Sequence, residues 1–143
     1  MKFQSKKDRF FTVVVFAVCG LLIAIGLSVW FKESPEEYIF LPLAILSSVI
    51  GLLLWFFFGT AYEIREDRLY YQTGPIRGSM NISEIREIVK GDTQWVGLKV
   101  ATARQGLILK YNRFDEIYIS PENDDRFIHH LLELKPDIVI TQV

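Results

Sequence analysis

Hydrophobic and polar positions divide the chain into two unlike parts. From Phe10 to Phe31, and again from Tyr38 to Phe58, the residues are apolar or small and no charge interrupts either run. A helix needs about 20 apolar residues to cross the hydrocarbon core of a bilayer. Both runs reach that length, and neither shows the polar face that a helix on the surface of a soluble domain carries. They predict a transmembrane helical hairpin, with spans 10–31 and 38–58 and an outer loop 32–37 (KESPEE). A cleaved signal peptide has a shorter apolar region and no second run behind it. The stretch before Cys19 is a poor lipoprotein cleavage site, because Val18 is bulky and the chain stays apolar beyond the cysteine.

Beyond Gly59 the pattern changes to short alternating segments. Strand-like stretches cover 60–65, 68–73, 76–82, 86–90, 95–101, 106–111 and 115–120, with turn residues such as Glu66-Asp67 and Gly74-Pro75 between them. About seven antiparallel strands at this spacing predict a small barrel or sandwich. An amphipathic helix follows. Ser120 suits the N-cap, Pro121 the first helical position, and Glu122, Asp124 and Asp125 the positive end of the helix dipole. Phe127, Ile128, Leu131, Leu132 and Leu134 form an apolar stripe before Pro136 ends the helix. That stripe is expected to plug the barrel against Leu69, Ile82, Ile108 and Ile117.

Charge supplies orientation. Lys2, Lys6, Lys7 and Arg9 form a basic N-terminus at 1–9, and Arg65 and Arg68 follow the second span, while the connector is mostly acidic. Lysine and arginine collect on the cytoplasmic side of membrane helices. Both termini are therefore expected in the cytoplasm of a multi-pass protein of the cell membrane. Trp30, Tyr38, Trp55 and Tyr62 lie near the span ends, where amphipathic rings settle. Gly20, Ala24 and Ser28 on one span, and Ala44, Ser47, Ser48 and Gly51 on the other, suggest small-residue grooves for packing within the hairpin, or between two copies. No Asp, Glu, Lys, Arg or His lies within either run, which speaks against a transporter or channel. The net charge is −1, and the part after Gly59 is mildly acidic, which excludes a basic nucleic-acid binder. Cys19 is the only cysteine, so there is neither a disulfide nor a thiolate metal site.

Candidate chemistry is thin. His129 and His130 are adjacent, and neighbouring residues on a helix point about 100° apart, which suits a shared metal poorly. The acids at 122–125 are accounted for by the helix dipole. No phosphate cradle or nucleophile elbow is present. No catalytic residue, metal or cofactor is expected.

The hairpin, followed by Thr60-Ala61-Tyr62-Glu63-Ile64, Leu69, Gly74-Pro75, Ile82, Glu84-Ile85, Ile88, Ile119-Ser120-Pro121, Phe127-Ile128 and Leu131, resembles the bacterial pleckstrin-homology-like (PH-like) domains of the YyaB-like kind. The resemblance covers about 60–140. It implies a cytoplasmic PH-like domain at 60–143 behind a membrane hairpin, with no catalytic residue to carry over. The loop Ala101–Gln105 departs from the serine and acidic residue that the family tends to have there.

Function then reads as binding. The first hypothesis is a non-catalytic interaction or scaffold module at the inner face of the membrane, joining a protein partner or a second copy through two loops. Those loops are Gly74, Pro75, Ile76, Arg77 and Gly78, and Gly91, Asp92, Thr93 and Gln94. The alternative is recognition of anionic lipid head groups by a basic rim of Arg77, Lys90, Lys99, Arg104, Lys110 and Arg113, against which interleaved Glu87, Asp92, Asp115 and Glu116 argue. An accessory or immunity subunit of another membrane protein is a third reading.

Overall fold

A computed structural model of the protein describes residues 1–32, 39–92 and 98–143. The chain runs β1 (Lys2–Gln4), α1 (Arg9–Lys32), α2 (Phe40–Phe58), β2 (Ala61–Arg65), β3 (Arg68–Thr73), β4 (Ile76–Asn81), a 3-10 turn (Ile82–Glu84), β5 (Ile85–Asp92), β6 (Leu98–Val100), β7 (Gly106–Tyr111), β8 (Asp115–Ile119), α3 (Asp124–Leu134) and β9 (Val139–Gln142). The connector residues 33–37, Tyr38, Thr93, Gln94 and Trp95 lie outside the described residues.

Among the described residues the strands form two sheets, ordered β1-β2-β3-β4 and β6-β8-β7-β5-β9, and the two do not close into one barrel. This corrects the expectation of a seven-stranded antiparallel barrel. Two pairings are parallel, β5 with β9 and β6 with β8. Segments 2–4 and 139–142, at the ends of the chain, supply the strands that periodicity alone did not show. They are too short to carry a periodic signal of their own, and pairing with a long neighbour holds them.

One core joins both sheets and α3. Tyr62, Ile64, Leu69, Ile82, Ile85, Ile88, Leu107, Leu109, Ile117 and Ile119 meet Phe3, Phe127, Ile128 and Leu131 there. Alternation explains the choice, since successive residues of a strand point to opposite faces. Ile108, expected under α3, belongs instead to a small separate cluster with Val89 and Tyr118. Leu134 stays 41% exposed: it lies at the last residue of the helix, past the point where the helix covers the core. The helix also begins later than its sequence suggests. Asn123 is the N-cap, accepting a bond from Arg126 N at 2.9 Å, because the Ser120 hydroxyl is occupied elsewhere.

α1 and α2 are long and apolar enough to cross a membrane. Their seam runs through Cys19, Gly26 and Phe57, the buried positions. A Cβ on Gly26 would lie 3.5 Å from both Leu43 and Leu46. The predicted small-residue grooves do not meet. Gly20, Ala24, Ser28, Ala44, Ser48 and Gly51 are exposed, and a Cβ on Gly20 or Gly51 would find no described residue within 4 Å. Of that set, Ser47 alone borders the groove between the helices. Tyr62 is no interface ring either, being 1% exposed within the core.

Candidate functional site

The most organised region lies where the hairpin meets the β domain. β1 precedes α1, β2 follows α2, and the two strands pair antiparallel, Gln4 with Ala61, Phe3 with Tyr62 and Lys2 with Glu63. Both helices are thus rooted in adjacent strands of one sheet. Phe3 fills the core beneath, its ring edge-on to Phe127 at 5.1 Å. Lys6 N donates to Ser120 O at 2.7 Å and Asp8 N to Thr102 O at 3.4 Å, so the segment leading into α1 is held by the far end of the domain.

A buried hydroxyl network locks this junction. Ser5 Oγ lies 2.9 Å from Thr102 Oγ1, 3.1 Å from Ser120 Oγ and 3.3 Å from the Tyr62 hydroxyl. Tyr62 donates to Val100 O and accepts from Ser120 N at 3.1 Å. Thr102 Oγ1 donates to Lys6 O at 2.8 Å. Burial pushes the Tyr62 phenol above its ordinary pKa, so it remains a neutral donor. Such a network holds together only if each member is satisfied.

Next to it is a basic and aromatic collar. Asp8 caps α1, its Oδ1 accepting from Phe10 N at 3.4 Å. Its other oxygen accepts from Arg104 Nε at 2.9 Å, and this bond holds the Asp8 carboxyl below the usual carboxylate range. The Arg104 guanidinium stacks 4.5 Å from the centre of the Phe10 ring. Lys7 Nζ stands 4.4 Å from the Phe58 ring and 5.6 Å from Phe57. A cleft of about 410 Å³ opens between Lys6, Asp8, Arg104 and Gln105. Lys6 also acts electrostatically on Asp124, whose carboxyl is pushed up by burial. Among the described residues Asp124 Oδ1, a buried side-chain oxygen, has no hydrogen-bond partner.

The residues singled out from sequence fare unevenly. Gly74 to Gly78 is not a free loop. Gly74 is buried at φ +56°, and a Cβ there would lie 3.3 Å from Phe56 at the end of α2. Pro75, Ile76 and Arg77 are exposed beside it, Arg77 already within β4. Gly78 lies under Tyr71, where an added Cβ would run into the ring. Gly91, at φ +88°, and Asp92 end β5 on the other sheet. The proposed basic rim is dispersed. Lys90 pairs with Asp125, Lys110 with Glu87 at 3.3 Å, and Arg113 lies over Phe114. The Lys99 side chain lies outside the described residues. Among the described members of that set Arg104 alone joins the collar, with Lys6 and Lys7. Sequence reasoning missed Ser5, Thr102 and Ser120 as partners, since they come from segments far apart in the chain and no local pattern links them.

Catalytic geometry does not assemble in the described part. His129 and His130 each approach Glu133, at 3.3 and 3.2 Å, on an exposed helix face. Among the described residues no group of three or more His, Cys, Asp or Glu could hold a metal.

These features define a class: a small, helix-closed two-sheet β module set without a linker on a helical hairpin. The family model described as Bacterial PH domain matches residues 60–135, more than half of the chain, and the chain belongs to that family. It is similar to Uncharacterized protein YyaB of Bacillus subtilis (strain 168), being 23% identical over 141 residues, 98% of this chain and 97% of that protein. The resemblance read from the strand and turn residues therefore holds. No solved structure matches the chain.

Proposed function

We propose that this protein is a membrane-anchored, non-catalytic PH-like module that presents its β domain to a protein partner, or to a second copy, at the cytoplasmic face of the cell membrane. The observation that carries the reading is the direct rooting of both apolar helices in β1 and β2. A domain held by two strands has little freedom to swing, so its exposed surfaces keep one orientation to the bilayer. Lys6, Lys7 and Arg9 sit at the domain end of the hairpin, which favours the cytoplasm for that end. Membership of the bacterial PH-domain family fits binding rather than turnover.

Topology is tested on single-cysteine variants in a Cys19→Ser background. Glu36→Cys should react with an impermeant maleimide on intact cells, and Asp124→Cys only after permeabilisation. The chain should also resist extraction from membranes by alkaline carbonate. Labelling of position 124 from outside, or release by carbonate, would overturn the proposal.

A further inference from the structure

We propose that the collar at the foot of α1 is a seat for the phosphate of an anionic glycerophospholipid, with Lys6 and Arg104 as its principal ligands and Lys7 and Arg9 beside them. This rests on the membrane reading above. A run of basic residues before a membrane helix is ordinary, but the arrangement here is built. Arg104 comes from a loop 96 residues away from Asp8 in sequence and is brought to the start of the hairpin by tertiary folding. Two contacts then fix it: the Asp8 carboxylate accepts from Nε, and the guanidinium carbon lies 4.5 Å from the centre of the Phe10 ring. The outer guanidinium nitrogens form the fork that matches two oxygens of a phosphate.

The second helix contributes at the same level. Lys7 is held over the rings of Phe57 and Phe58, the last residues of α2. Thus the cations stand where both apolar helices end, which is where lipid head groups must lie if the helices span the bilayer. The cleft between Lys6, Asp8, Arg104 and Gln105, about 410 Å³, has room for a head group. Cations outnumber carboxylates at this end of α1: Lys6, Lys7, Arg9 and Arg104 gather there with Asp8, which pairs with Arg104, and with Asp124, which is within electrostatic reach of Lys6. Elsewhere on the domain Lys90 and Lys110 are matched one to one, by Asp125 and Glu87. The inner-leaflet lipid is the occupant that the position favours, because the α1 and α2 ends already border it.

The test uses the full chain reconstituted in vesicles of phosphatidylcholine, with Trp30 and Trp95 replaced by Phe so that Trp55, one turn before the end of α2, is the reporter. Brominated phosphatidylglycerol and brominated phosphatidylcholine are compared as quenchers. The parent should prefer the anionic lipid by roughly five-fold or more, the ratio that about 1 kcal/mol of attraction per cation gives near the surface. Lys6→Gln, which leaves the Asp8–Arg104 bond in place, should lower the preference, and Lys6→Gln with Arg104→Gln should bring it near unity. Arg113→Gln, at the far β7–β8 turn, should leave it unchanged. Equal quenching by both lipids in the parent would overturn the lipid seat while leaving the anchor intact. So would an equal loss in Arg113→Gln, or abolition of the preference by millimolar inorganic phosphate. Absence of quenching by either lipid would instead refute the membrane reading itself.

Discussion

Replacing Phe3 by alanine separates the two views of the N-terminus most sharply. As a basic cytoplasmic tail, residues 1–9 would tolerate the change. In the folded protein Phe3 is 7% exposed and stands against Phe127 at an interplanar angle of 82°. Truncating a buried phenylalanine costs about 3–5 kcal/mol. β1 is a three-residue edge strand and can relax toward the cavity, so the lower end, about 3 kcal/mol, is the expected loss. Urea slopes for small domains are about 1–3 kcal/mol/M, so the midpoint should fall by at least about 1 M. Pulse proteolysis of the full chain in detergent micelles reads the β domain while the hairpin stays in the micelle. Lys2→Ala, on the exposed side of the same strand, should stay within about 0.5 kcal/mol of the parent. If Phe3→Ala and Lys2→Ala share one midpoint, β1 does not belong to the core and the rooting of α1 in the sheet is wrong.

Two further predictions concern polar contacts. Tyr62→Phe keeps the ring but leaves Val100 O and Ser120 N without their partner, and should destabilise the domain by about 1–3 kcal/mol in the same urea assay; no change would mean that water or a neighbouring hydroxyl substitutes. Glu87 is held below its ordinary pKa by the hydroxyl of Thr141, at 2.7 Å, and by Lys110. A depressed carboxylate contributes stability above its unfolded pKa, about 4.3, and loses it as pH falls through the lower folded value. Amides of β9 should therefore exchange relatively faster below about pH 4, and Glu87→Gln should remove that step; a step that persists in the variant would assign it to another group.

Local signals were legible where an element is long or its alternation clean. The strands at 68–73 and 106–111 were read from sequence with their observed limits, and the two helices to within a residue or two. Each of these carries its own periodicity, and bilayer thickness alone sets the length of the apolar runs. The start of α3 is ambiguous in the sequence, because Ser120, the expected cap, and Asn123, the observed one, are both of good capping types. What decided between them was the burial of the Ser120 hydroxyl among Ser5 and Thr102, a contact between residues far apart in the chain.

The functional region shows the same division. Sequence alone determined that two uncharged spans precede a β-rich domain, because transfer of apolar side chains out of water depends on composition and spacing. Only tertiary structure decided that Lys2–Gln4 is a strand, that Gly20 and Gly51 face away from the helical seam while Gly26 lies within it, and that Arg104 stands on Phe10 beside Asp8. Short strands gain stability only from a partner. Helix faces are chosen by side-chain fit along the whole seam, and a charged collar needs residues from distant segments at one point in space. None of these is a property of a local window of sequence, which is why the junction of hairpin and domain emerged only from the folded chain.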